Sequence, residues 1–232
     1  MSFYSTVPFF QTRFASKKNN SDKNFLTKIE LEQWLEPEKN RRVWNWFADA
    51  LTTLHDSPTG EKLLEKMKLA GVKISTSHAA SANGQYFPST REIKINPTIP
   101  GNDPAYTPSN RHLHIAATTS HEIVHMLMHQ HRGWSVERHE QEFSLGDEFW
   151  AFAVKKKILS EIAPPNSEIH QVIPTGHELL GYYPDLIPKE KADSEIPEVL
   201  ATAGIFTPEE IKTLKSEYQE ILSLREVMRE RA

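Results

Sequence analysis

"TTSHEIVHMLMHQHRGW", residues 118–134, places four histidines and a glutamate in a run of isoleucine, valine, leucine and methionine. Residues four apart on a helix share a face, one turn apart. His121 and His125 can therefore both reach one ion at the Zn–N distance of about 2.0–2.1 Å. Glu122 is rotated by about 100° from His121. It is badly placed to ligate, but well placed to reach a water beside the ion. Zinc brings the pKa of such a water toward ~7. A carboxylate next to it can take the proton and pass it to a leaving amine. The spacing thus assigns His121 and His125 as metal ligands and Glu122 as catalytic base.

The competing reading is a core helix that happens to carry histidines. The chain has 11 histidines in 232 residues, and H-E-x-x-H arises by chance in roughly a few per cent of such chains. The neighbours weigh against chance. Leu113, Ile115, Ala116, Ala117, Ile123, Val124, Leu127 and Met128 are too apolar for a surface helix. Two histidines and a glutamate among them cost free energy unless paired or metal-bound.

A third ligand is needed, and four residues compete. His131 has the spacing of H-E-x-x-H-x-x-G-x-x-H, but Met128 occupies the glycine position. Glycine is what lets the chain turn back sharply there. Glu148 opens the next apolar stretch, "GDEFWAFAVKKKILSEI" (146–162), and a glutamate from a second packed helix completes a His2Glu zinc set. The plain alternative is that Asp147 and Glu148 are favourable charges in a helix's first turn. Glu142 and Asp147 complete the field. The expected set is His121, His125 and Glu148 around one zinc ion, with a fourth position open. Tyr182, Tyr183 and His177 follow in an irregular segment. One of the two tyrosines is a candidate to stabilise the oxyanion of a tetrahedral intermediate, although tyrosines there more often serve packing.

Outward from this helix the chain is mostly helical. Residues 25–36 form an apolar pattern. Val43, Phe47, Leu51 and Leu54 recur at helical spacing, Ser57-Pro58 starts a further helix, and Gly71 reads as its C′ residue. "VKIST" (72–76) and "REIKINP" (91–97) alternate and are separated by the turn signal Asn83-Gly84. They predict a hairpin or small antiparallel sheet, with "REIKINP" as an edge for an extended substrate. Residues 97–110 form a loop, a charged loop precedes Gly146, and 163–206 is irregular. "TPEE" (207–210) is a capping box that opens a final helix of about five turns. The fold class is α+β.

Composition narrows the partners. Apolar residues make up 38% and charged residues 25%, with a net charge of −4. Such a chain lacks the basic excess of a nucleic-acid binder, and no apolar run approaches the ~20 residues of a spanning helix. With no cysteine, thiolate ligands, a disulfide framework and a cysteine nucleophile are excluded. Residues 1–24 have no acid before Asp22, no secretory apolar core, and Arg13, Lys17 and Lys18 among Ser, Asn and Phe. A frayed tail, an uncleaved export signal of the specialised bacterial type and an organellar presequence are all open. Residues 25–232 read as one monomeric domain, divided into a helical lobe (25–71), a sheet (72–97), a zinc core (110–162) and a C-terminal helical segment (163–232).

"SPTGEKLL" (57–64), "EIKINP" (92–97), "HEIVH" (121–125) and the Glu148 helix, taken in order, resemble the type III secreted effector metallopeptidases, the group of the non-LEE-encoded effector D. The likeness covers about residues 40–162, and only "HEIVH" is specific. It implies a zincin-like domain, a zinc endopeptidase secreted into a host cell, and a host signalling protein such as a kinase as substrate. A more distant likeness is to regulatory peptidases of mobile elements, which act in the cytoplasm on a repressor. A non-catalytic interaction protein with a structural metal helix is the reading from another class.

Overall fold

The computed structural model describes residues 31–32, 34–36, 40–77, 83–98, 107–172, 174 and 176–230. The N-terminal tail, most of the 25–36 helix and part of the 97–110 loop lie outside them. The order of elements is α1 (Arg41–His55), α2 (Pro58–Leu69), β1 (Lys73–Thr76), β2 (Gly84–Phe87), β3 (Glu92–Ile95), α3 (Arg111–Arg132), α4 (Val136–Glu142), α5 (Leu145–Ile162), a 3-10 turn (Glu168–Val172), α6 (Gly176–Tyr182), α7 (Glu190–Thr202) and α8 (Pro208–Glu230). The chain is mostly helical with one small sheet, which is an α+β arrangement. No described helix is long and apolar enough to cross a membrane.

Helix α3 is the axis of the molecule. Every residue from Leu113 to Met128 is buried, because α1, α2, α5, α7, β2 and β3 all pack against it. Apolar side chains at every angle around a helix require neighbours at every angle. Helix α5 is built alike, with Leu145, Phe149, Trp150, Val154, Ile158 and Leu159 all buried. One core runs from Leu31 to Ile221 and includes Phe47, Leu51, Leu63, Met67, Ile93 and Trp150.

The sheet differs from the expected antiparallel one. Its order is β1-β3-β2, with β1 parallel to β3 and β2 antiparallel to β3. β3, the "REIKINP" strand, is therefore central and has no free edge for a substrate. Residues 34–36 cover the outer side of β1, where Ile74 N–H donates to Trp34 O at 2.7 Å and Glu36 N–H to Ile74 O at 2.8 Å. Among the described residues, the edge with no neighbouring strand is β2. Asn83-Gly84 is not a hairpin turn. The turn falls at Pro88–Arg91, where Arg91 adopts φ 53°.

Two stretches read as loops are helical. Ser135 caps α4, accepting from Arg138 N–H at 3.3 Å, so the "charged loop" before Gly146 holds two turns of helix. Within 163–206, α7 continues through Pro197. An internal proline costs a helix about 3 kcal/mol. Here Ala192, Ile196, Pro197 and Leu200 are all buried, and that burial offsets the cost.

Candidate metal centre

His121 and His125 project from the buried middle of α3, and Glu148 projects from the first turn of α5. The two Nε2 atoms lie 3.0 Å apart. Glu148 Oε2 is 3.4 Å from His121 Nε2, and Oε1 is 3.6 Å from His125 Nε2. All three side chains are buried and could hold a metal ion. Their separations suit one: four donors at about 2.05 Å in a tetrahedron stand about 3.3 Å from each other. Neither Nδ1 atom has a hydrogen-bond partner among the described residues.

The protonation states match a ligand set. Burial pushes the His125 imidazolium down to a pKa of about 3, against the pull of Glu148, so the ring is neutral. Burial would raise the Glu148 carboxyl, but His121 and hydrogen bonds from His121 and Tyr183 overcome it and hold it below the usual carboxylate range. A neutral imidazole and an ionised carboxylate are the forms that bind a cation. The rings are held by packing: Phe152 meets His121 at 4.6 Å and Phe143 meets His125 at 5.1 Å.

Helix α5 begins where it does because of its cap. Ser144 Oγ accepts from Asp147 N–H at 3.2 Å, and Ser144 N–H donates to Asp147 Oδ2 at 2.9 Å. Asp147 also binds Arg132 Nη1 at 2.8 Å, with both side chains wholly buried. Arg132 Nη2 donates in turn to Ala192 O. Asp193 accepts from Ser144 Oγ, from Tyr218 OH at 2.5 Å and from Lys189 N–H at 3.0 Å. This network fixes the end of α3, the start of α5 and α7 together, and so fixes Glu148 relative to the two histidines.

Glu122 is buried beside the triad. Its Oε2 accepts from Tyr86 N–H of β2 at 3.0 Å. Burial pushes its carboxyl up to about 7, although His121, the Tyr86 N–H and Lys155 pull it down. Gly84 allows this contact. A Cβ there would lie 2.7 Å from Thr118 Cγ2, 2.9 Å from Ile95 Cδ1 and 3.1 Å from Glu122 Cγ. Gly84→Ala is accordingly expected to push β2 off α3 and to lower stability by about 1–3 kcal/mol. Chemical denaturation reads this directly, and an unchanged midpoint would show that β2 is not seated against α3 as described.

The other predicted residues separate cleanly. His131 is exposed at the end of α3, which runs on unbroken through Met128 to Gly133. Glu142 pairs with Lys189 at 3.1 Å, and Asp147 faces Arg132. Tyr182 is 71% exposed and does not line the cleft over the ligands. Tyr183 lines the cleft and bonds Glu148. Burial and the charges of Glu148 and Glu122 raise its hydroxyl well above the usual tyrosine range, so it stays protonated. The His177 side chain lies outside the described part.

Sequence reasoning missed the walls. A cleft of about 430 Å³ opens over the triad. β2 with Pro88 and Ser89 forms one side, and Val136, His139, Glu140 and Phe143 form the other. The spacing 136, 139/140, 143 is one face of a helix, which was the available signal. Lys155, two turns after Glu148 on α5, is also buried. Burial lowers its ammonium to about 8 despite the fields of Glu122 and Glu148. No protein-family model, curated protein or solved structure matches the chain.

Proposed function

We propose that this protein is a zinc-dependent endopeptidase with a zincin-like site. The observation that carries the reading is the convergence of His121, His125 and Glu148 at ligand separations, with Glu122 beside them under an open cleft. A nitrogen and carboxylate donor set of this kind suits zinc. A purely structural site would be closed on all sides, and it would have no use for a second buried carboxylate at Glu122.

Zinc, when bound, would polarise the scissile carbonyl and make an adjacent water acidic enough to react. The rest is work for the chain. Glu122, oriented by the Tyr86 N–H, takes the proton from the attacking water and later gives it to the leaving amine nitrogen. Tyr183, a protonated phenol at the cleft wall, exchanges its hydrogen bond to Glu148 for one to the oxygen on which negative charge develops. The resemblance in "HEIVH" and its flanks extends the reading to a bacterial effector that cleaves a host signalling protein inside the host cytoplasm, acting as a monomer without nucleic acid or membrane.

Elemental analysis of the purified protein tests the site. One zinc per chain is expected, with His121→Ala, His125→Ala and Glu148→Ala each losing it and His131→Ala keeping it. A chelator should stop cleavage of a casein or peptide-library substrate, and added zinc should restore it. A parent protein that binds no divalent ion in any preparation overturns the reading.

A further inference from the structure

The cleft carries a charge imbalance that names a substrate class. Three glutamates and no lysine or arginine line it among the described residues. Glu122 and Glu148 are buried and face the metal position and the buried Lys155 ammonium, whereas Glu140 is the exposed carboxylate of the rim. Glu140 is exposed on α4 and makes no ion pair among the described residues. Of the cations on nearby elements, Lys94 pairs with Glu92 at 3.4 Å and lies over the cleft-lining Phe87 ring at 5.0 Å, Lys189 pairs with Glu142 at 3.1 Å, and Arg138 lies over the Trp134 ring at 5.0 Å, so none of them pairs with Glu140.

The surface between Glu140 and the triad is a chain of rings. His125 meets Phe143 at 5.1 Å, Phe143 meets His139 at 6.1 Å, and His139 meets His129 at 4.9 Å. His139 is buried and neutral, since burial lowers its pKa to about 4. Val136 adds an aliphatic contact on the same face of α4. The face of Phe143, which lines the cleft, attracts cations, an apolar wall accepts the methylene stem of a long basic side chain, and a lone carboxylate at the rim binds its head. We infer that α4 forms a specificity subsite for a lysine or arginine side chain of the substrate, flanking the scissile bond, with Glu140 as its charge-recognition residue. This rests on the peptidase reading above for the position of the bond, but not for the binding itself.

Two measurements test it on the full chain. In the first, a proteome digested at glutamate residues, which keeps lysine and arginine internal, is offered to the zinc-loaded parent, to Glu140→Gln and to Glu140→Arg. The products are sequenced by mass spectrometry. The parent is expected to enrich basic residues within two positions of the cut by about fivefold. Glu140→Gln should bring that enrichment near unity, and Glu140→Arg should exchange it for acidic residues. Enrichment that is absent, or indifferent to residue 140, overturns the subsite. In the second, Glu122→Gln protein is titrated with fluorescent Ala-Ala-Arg-Ala-Ala and its norleucine counterpart. The arginine peptide should bind about fivefold tighter, and adding Glu140→Gln should remove the difference. Equal binding of the two peptides means that rings alone select, and it sinks the inference. A binding preference without any cleavage sinks the peptidase reading and leaves the subsite standing.

Discussion

Glu122→Gln is expected to lower peptide hydrolysis by about 10³-fold while leaving the zinc content of the protein unchanged. A positioned general base contributes about 10²–10⁴ in rate, and glutamine cannot accept the proton. The replacement is nearly isosteric. Its amide oxygen can still accept from Tyr86 N–H, which now bonds Glu122 Oε2 at 3.0 Å. The contact between β2 and α3 should therefore survive, and so should the positions of His121, His125 and Glu148. The measurement is kcat/KM on one peptide together with metal content and a melting curve for the same preparation. A variant that keeps its zinc, its fold and more than about a tenth of the parent rate would remove Glu122 from the mechanism. Loss of zinc together with activity would instead make Glu122 part of the metal set, which its side chain's commitment to Tyr86 argues against.

The largest expected effect on stability comes from Arg132→Met. The Arg132–Asp147 pair is wholly buried, with Nη1 and Oδ1 2.8 Å apart. Removing one member of such a pair leaves the other charge in the interior without a partner, and this typically costs about 3–5 kcal/mol. For a domain whose total stability is about 5–15 kcal/mol, the melting temperature should fall by about 10 °C. Arg132→Met with Asp147→Asn should recover part of the loss. The amide keeps the same shape at the Ser144 cap and no longer strands a charge. Urea denaturation of the parent, the two single variants and the double variant gives the coupling energy. A cost below about 1 kcal/mol would class the pair with solvent-exposed bridges, contrary to its burial. The double variant also separates folding from function, because Glu148 adjoins Asp147. Restored stability with weakened zinc retention would show the network aiming the ligand as well as holding the helix.

How much of this was legible in the sequence follows from what each residue needs in order to act. His121 and His125 meet by helix geometry alone, so a four-residue spacing was enough to pair them. Glu148 could be anticipated because it opens an apolar helix and needed only that helix to pack on α3. Its carboxylate competitors were distinguishable only in three dimensions, where Asp147 is taken by Arg132 and Glu142 by Lys189. The strand order was out of reach, because it depends on a crossover and not on local pattern. Asn83-Gly84 misled for a related reason: the glycine permits close approach to Thr118 and Glu122, a need that looks the same as a turn in one dimension. Helix α4 has seven residues and mostly charged ones, too short for periodicity to stand out. Pro197 disguised α7, since the burial that tolerates it comes from α3, α5 and α8.

The burial of α3 along its whole middle has one more consequence. The groups that would do chemistry sit in the innermost helix, where nearly any substitution disturbs packing on several sides at once. The groups that would choose a substrate include Glu140 on the outer face of a two-turn helix, where an exposed side chain can be exchanged at little structural cost. Such a division lets descendants of one chain acquire new targets by altering the rim, while the reaction itself is inherited intact.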